Sequence, residues 1–313
     1  MQFGGVLAKK SPVAVTLPAQ SRLLLPVLGA GGGSGRSTTA GLLACSMTSM
    51  GAGVVLDTAP RLTSPWPFWT DTAGSGLASV PPDQPFSRSQ VLAAASRCRG
   101  PGGEWGVLTD HQEWNRGPLP LPSDPAAWHQ LAAGGGWQTV VADTSHPVAH
   151  DIVTARTQHQ PGLTAAWCSL PYAVPVLCAP TTGPGVAALQ TAIKAASAEG
   201  LPLQRMVVAL TSPGEGRPPA SVKAAATMLQ SQVSAVVTVP FDTHIRSHGL
   251  AQASRLGRRT TEAGAALVAA VLASAHRTWG DPLPAAATPA GLLTTTSVSA
   301  RTVPPVPEGV PTP

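Results

Sequence analysis

Charge is scarce in this chain. Only 11% of its 313 residues are Asp, Glu, Lys or Arg, against roughly a quarter in ordinary globular domains. Hydrophobic residues make up 43%, so a sizeable core is within reach. Cysteine is also sparse. Cys45, Cys98, Cys168 and Cys178 form no CxxC pair, so a zinc site is not signalled and buried free thiols in a reducing compartment are expected. Long apolar runs are missing. No stretch approaches the roughly 18 residues of a membrane span, and "RLLLPVL" (22–28) is only strand-length. No apolar leader with a cleavage site follows Lys9 and Lys10. These absences give the expectation of a cytoplasmic protein without membrane insertion.

Glycine and proline are abundant, 32 and 33 residues, and part of that excess is expected in an unfolded tail. Net charge is +5 with a pI near 9.4. That permits weak attraction to nucleic acid or an anionic surface without requiring either.

Along the chain, short apolar runs alternate with Ala-rich stretches. Strands are expected at 22–28, 53–57, 105–109, 138–143, 174–179, 206–211 and 235–239. Most are continuous Val/Leu runs, the pattern of strands buried on both faces. Helices are expected at 37–50, 89–97, 125–133, 185–198, 219–231 and 259–276. Strands alternating with helices imply parallel βαβ units. The expected fold is therefore α/β: a mostly parallel, doubly wound sheet of about seven strands with helices on both faces. It would occupy residues 21–278, after an N-terminal arm (1–20) and before a Pro/Thr/Ala-rich disordered tail (279–313). Ligands of such sheets bind at the carboxyl ends of the strands.

The segment "GAGGGSGRSTT" (29–39) stands at such an end. A strand leads into glycines, and a helix begins near Ser37. Glycines let the backbone wrap an anion, while N–H groups and the helix N-terminus face it. Against G-x-x-x-x-G-K-[ST], Gly35 and Ser37 fit, Ala30 replaces the first glycine and Arg36 replaces the lysine. The dinucleotide pattern G-x-G-x-x-G fits worse, because its last position falls on Ser34 or Arg36. A G-x-S-x-G elbow fails at Arg36.

These residues resemble the ParA/MinD group of P-loop ATPases, the deviant Walker A proteins, whose loop reads K-G-G-x-G-K-[ST]-T. Gly32, Gly33, Gly35, Ser37 and Thr38 match, and Ser34 takes the free position. Gly31 stands at the signature lysine and Arg36 at the P-loop lysine. "VVLDTAP" (54–60) resembles the family's second strand, with Asp57 at its first aspartate and Ala59 in place of the second. "TVVADTSHPV" (139–148) resembles the Walker B strand, with Asp143 in place, and "VVTVPFD" (236–242) the late segment near the adenine, with Pro240 and Asp242 in place. The family's base-reading Asn has no evident counterpart.

The resemblance implies ATP and Mg²⁺ as ligands. It implies Ser37, Asp57 and Asp143 around the metal, and Asp57 as the carboxylate that supports the attacking water. Gly32, Gly33, Ser34, Gly35, Arg36, Ser37, Thr38, Pro240 and Asp242 would hold the nucleotide. It further implies a homodimer on nucleotide binding and a place in plasmid or chromosome partitioning or DNA transfer. Arg36 keeps a positive charge, but its planar fork is not equivalent to an ammonium. Gly31 cannot reach across a dimer. Loss of both lysines should slow phosphoryl transfer by orders of magnitude. The functional expectation is thus a slow ATPase or nucleotide switch. The alternatives are an inactive pseudo-ATPase scaffold and a dinucleotide-binding oxidoreductase. Arg61 or a partner's arginine is a candidate substitute for the lysine.

Three further features carry competing readings. His146 and His150 at i, i+4 could hold a metal on a helix, or simply be solvated residues after the Walker B strand. Arg255, Arg258 and Arg259 could contact DNA phosphates weakly and non-specifically, or form a solvated surface. Trp66, Phe68 and Trp69, in the Pro-rich excursion 58–88, could form a partner surface (61–88) or pack as core.

Overall fold

The computed structural model describes residues 16–81 and 85–287. The expected arm up to residue 15 and the expected tail from residue 288 lie outside the described residues.

Eight strands form one sheet: β1 Leu23–Gly29, β2 Gly53–Asp57, β3 Ser96–Gly100, β4 Gly103–Leu108, β5 Thr139–Pro147, β6 Val176–Pro180, β7 Val207–Thr211 and β8 Ala235–Val239. Their order is β3-β4-β2-β5-β1-β6-β7-β8, and every pairing is parallel except β3 with β4. The helices are α1 Arg36–Met47, α2 Trp66–Trp69, α3 Arg88–Ala94, α4 Pro125–Gly135, α5 Val148–Gln158, α6 Leu163–Ser169, α7 Gly183–Ala198, α8 Ala220–Leu229, α9 Thr243–His248 and α10 Arg258–Trp279. None is long and apolar enough to cross a membrane, among the described residues.

The central strand shows why the apolar runs lack alternation. Leu23, Leu25 and Val27 of β1 join the core under α1 and α10, while Leu24 and Leu28 join cores on the opposite face. Both faces are dry, so every position is apolar. Pro26 sits inside this central strand, an unusual place for a residue with no N–H. The β1–β6 ladder is interrupted there: a bridge joins Leu24 to Ala173, and regular pairing resumes only at Val27 with Val176. On the other side α10 lies close on α1, because Gly264 has no side chain. A Cβ there would run into Ser46 Oγ.

One expectation is corrected, and one of two competing readings falls. The segment 89–97 is not one helix: α3 ends at Ala94, and Ser96 begins the antiparallel edge strand β3. This adds the eighth strand. The histidines do not share a helix, since His146 lies in β5 and His150 in α5. No cluster of three metal-ligating His, Cys, Asp or Glu side chains occurs among the described residues. Helices α2, α5, α6 and α9 have no counterpart in the sequence-based expectation. The four cysteines are free and buried, and burial pushes the Cys45 thiol up to about 11. After α10 the chain returns to the start of the domain. Ser21 Oγ donates to the Leu283 carbonyl at 3.0 Å, and Ala286 N donates to the Gln20 carbonyl at 2.8 Å.

Candidate functional site

The site lies at the carboxyl ends of β1, β2 and β5. Leaving β1, the chain runs through the glycine loop into α1, with Gly33 and Gly35 both in the left-handed region (φ 64° and 81°). Gly35 is doubly constrained. Its φ suits glycine, and a Cβ would stand 2.7 Å from Thr211 Cγ2. Thr211 in turn donates to the Ser34 carbonyl at 3.1 Å, which pins the loop to the end of β7. The N-terminus of α1 carries no side-chain cap and no acidic residue in its first turn. Its first N–H groups thus have no side-chain cap, the arrangement that suits an anion.

Arg36 is the first residue of α1. Its Nη1 donates to the His146 carbonyl at 2.9 Å, so the side chain folds back toward the end of β5. There its charge acts on Asp143. His146 itself pairs with Thr164 Oγ1 at 3.1 Å, and burial holds its pKa below the ordinary value. The candidate substitute Arg61 is committed elsewhere. It forms an ion pair with Asp110 at 3.2 Å and donates to the Arg116 carbonyl at 2.8 Å.

Asp57 and Asp143 face each other in register on β2 and β5. Both are buried. Asp57 Oδ2 accepts from Ser64 Oγ at 2.6 Å and Thr109 Oγ1 at 2.5 Å, and Oδ1 accepts from Ala59 N at 3.2 Å. Burial raises its pKa to about 7 despite these bonds, with the neighbouring Asp143 charge adding to the rise. Asp143 Oδ2 accepts from the indole Nε1 of Trp66 at 2.8 Å. Burial raises the pKa of Asp143 too, while Ser37, Trp66 and the Arg36 charge oppose the rise. Ser64, Thr109 and Trp66 are site residues that motif reasoning did not single out in these roles. Ser64 and Trp66 stood in the segment 58–88 flagged as unusual, and Thr109 did not.

Ser37 and Asp143 form a pair of hard oxygen groups beside a helix N-terminus, and this donor set fits Mg²⁺. Asp57 is set back, its oxygens engaged by hydroxyls and a backbone N–H.

From the glycine loop a cleft of about 330 Å³ runs outward, lined by Gly33, Gly35, Thr38, Thr211, Pro240 and Phe241 among others. Pro240 and Asp242 are thus brought to the same cleft as the loop. Asp242 caps α9, accepting from His244 N at 2.8 Å and Ile245 N at 3.3 Å. It also accepts from Gly257 N at 2.9 Å and Thr260 Oγ1 at 2.6 Å. Burial would raise its pKa, but these four donors hold it below the usual carboxylate range. Arg255, Arg258 and Arg259 line an adjoining open cleft of about 720 Å³, and Arg258 pairs with Glu262 at 3.2 Å. In the Trp-rich excursion the two readings divide by residue. Trp66 is 0% exposed and part of the core, whereas Phe68 is 83% exposed.

No protein-family model matches the chain, and no curated protein matches it. Solved structures do. One is a ParA family ATPase from Chlorobium tepidum TLS, 11% identical with a TM-score of 0.55, covering 80% of this chain and 98% of that one. Another is the cell division ATPase MinD of Pyrococcus furiosus, 13% identical with a TM-score of 0.54 and the same coverages. At such identities the likeness is one of fold. The chain has the ParA/MinD-like fold, a mostly parallel α/β sheet of the P-loop NTPase type.

Proposed function

We propose that the chain binds Mg-ATP at the glycine loop and acts as a slow ATPase or nucleotide switch. The observation that carries this is the uncapped N-terminus of α1, placed beside Arg36, Ser37 and the buried Asp143. The backbone N–H groups of residues 32–38 would receive the phosphates, and Arg36 would turn from the His146 carbonyl to add charge. Ser37 and Asp143 would hold Mg²⁺, which supplies charge neutralisation for the phosphoryl group. The base would enter the cleft between Thr211 and Phe241. Asp242 shapes that cleft by joining α9 to α10, its oxygens already engaged. Asp57 remains the carboxylate proposed to support the attacking water. For that, its bond from Ser64 must give way.

The bonds on Asp57, together with the lysine-free loop, also favour the second reading, a pseudo-ATPase whose bound nucleotide only sets conformation. A cytoplasmic location, a homodimer formed on nucleotide binding and a partner at 61–88 belong to this proposal. So do weak DNA contact through Arg255, Arg258 and Arg259 and a role in partitioning or DNA transfer.

Thermal unfolding with ATP, GTP and NAD(P), paired with phosphate release, tests the readings. Stabilisation by Mg-ATP with slow release supports the first, and stabilisation with none above background supports the second. Stabilisation by NAD(P) alone points to an oxidoreductase and contradicts both.

A further inference from the structure

The stretch Ser64-Pro65-Trp66 reaches both carboxylates of the site. Ser64 Oγ donates to Asp57, and Trp66 Nε1 donates to Asp143. A third bond, from Trp66 N to Ser64 Oγ at 3.1 Å, ties the two together. The indole has little freedom. Trp66 is completely buried, and a Cβ on Gly41 of α1 would stand 3.2 Å from its Cη2. On its other side it meets Trp69 edge-to-face, with centroids 5.4 Å apart and planes at 75°. Trp69 is itself seated on the bare backbone of Gly249, where a Cβ would run into its indole.

We infer that the indole N–H of Trp66 is the positioning group that aims Asp143 at the metal of the bound nucleotide. A carboxylate rotates about its last bond, and a donor held immobile by packing fixes which oxygen is used and where the other points. Here Oδ2 is given to the indole, while the hydroxyl of Ser37 acts on the same carboxylate. The donor is also neutral. It orders Asp143 without placing a second positive charge beside a cation, as a lysine or arginine at that point would. This inference rests on the Mg-nucleotide reading above and assigns a role within the same site.

Trp66→Phe keeps an aromatic ring in the core and removes the N–H. Nucleotide affinity of the full chain is measured with ATP in EDTA and across a Mg²⁺ titration. In EDTA the variant should match wild type within about twofold. Its Mg²⁺ midpoint should rise about tenfold or more, the scale of a lost hydrogen bond to a charged group. Equal losses with and without metal, or none in either, would make Trp66 a packing residue and overturn the inference. Wild-type affinity that ignores Mg²⁺ would instead overturn the proposed function.

A second measurement stands apart from nucleotide binding. In ¹⁵N–¹H spectra of the nucleotide-free protein, the indole cross-peak absent from Trp66→Phe belongs to Trp66. That peak should move in Asp143→Asn. A peak that stays in place would deny the contact, and with it the positioning role.

Discussion

Asp57→Asn should stabilise the nucleotide-free protein at alkaline pH, although it removes a buried group with three hydrogen-bond donors. Burial raises the folded pKa of Asp57 from 3.8 to about 7. Between these values the folded state holds a proton that the unfolded chain has released. The Asp57 contribution is therefore fully present below about pH 4 and is lost as pH rises toward 7, after which it is level. At about 1.36 kcal/mol per pH unit, the whole window is worth about 4 kcal/mol. Asparagine has the same shape and no charge, and the Ser64 and Thr109 hydroxyls can rotate to accept from its amide. Relative to wild type, the variant should gain about 2–4 kcal/mol near pH 8 and nothing near pH 4. Taking the difference between the two proteins cancels the carboxylates that do not act on Asp57; Asp143, whose charge does, ionises more easily in the variant and adds to the gain at high pH. Urea unfolding in EDTA, followed by tryptophan fluorescence at several pH values, reads it directly. A variant less stable than wild type by the same amount at every pH would refute the reasoning.

Three further outcomes follow from the site's geometry. Gly35→Ala should destabilise by about 2–4 kcal/mol in urea unfolding, combining a left-handed backbone with overlap on Thr211, and Thr211→Ser should return part of the loss; a change below about 0.5 kcal/mol would contradict the contact. Asp242→Ala should cost about 2–3 kcal/mol at neutral pH by stripping four donors of their acceptor. Because the Asp242 pKa is depressed, that cost should shrink as pH falls below about 4, and a pH-independent cost would contradict the account. Arg36→Ala should weaken ATP binding at least about tenfold, whereas Arg36→Lys should retain more of it; equal affinities in calorimetry for wild type and Arg36→Ala would place Arg36 away from the phosphates.

The strands were legible because sandwiching between two helical layers leaves no polar position to blur the apolar runs. Buried β2 coincides with the segment read from sequence, Gly53–Asp57; the half-exposed edge strand β8 (Ala235–Val239) does so through its β-branched run, although Thr238 faces solvent. The edge strand β3 was not legible. "SRCRG" follows an Ala-rich helix and alternates buried Ser96 and Cys98 with exposed arginines, too briefly to stand out from the helical pattern before it. The alternative that placed His146 on a helix with His150 fails because β5 runs on to Pro147 and delays α5.

The loop, Asp57 and Asp143 were legible as motifs, since each belongs to one contiguous stretch. Their partners were not. Trp66 reaches Asp143 across 77 residues and Thr109 reaches Asp57 across 52, from loops whose spacing carries no signature. Arg36 was visible as a substitution, but its return to the His146 carbonyl depends on where β5 ends. The excursion after β2 was visible as Pro- and Trp-rich. That one tryptophan faces the core while Phe68 faces solvent follows from the short α2 turn and could not be read from composition.

The central claim is that the glycine loop, Ser37 and Asp143 together hold a metal-bound nucleotide. Calorimetric titration of ATP into wild type and Ser37→Ala, each with Mg²⁺ and with EDTA, tests it most directly. The account predicts that Mg²⁺ tightens wild-type binding by about tenfold or more and that Ser37→Ala loses this enhancement while keeping its affinity in EDTA. If Ser37→Ala keeps the full enhancement, or wild type binds no nucleotide in either condition, the assignment of this site is contradicted.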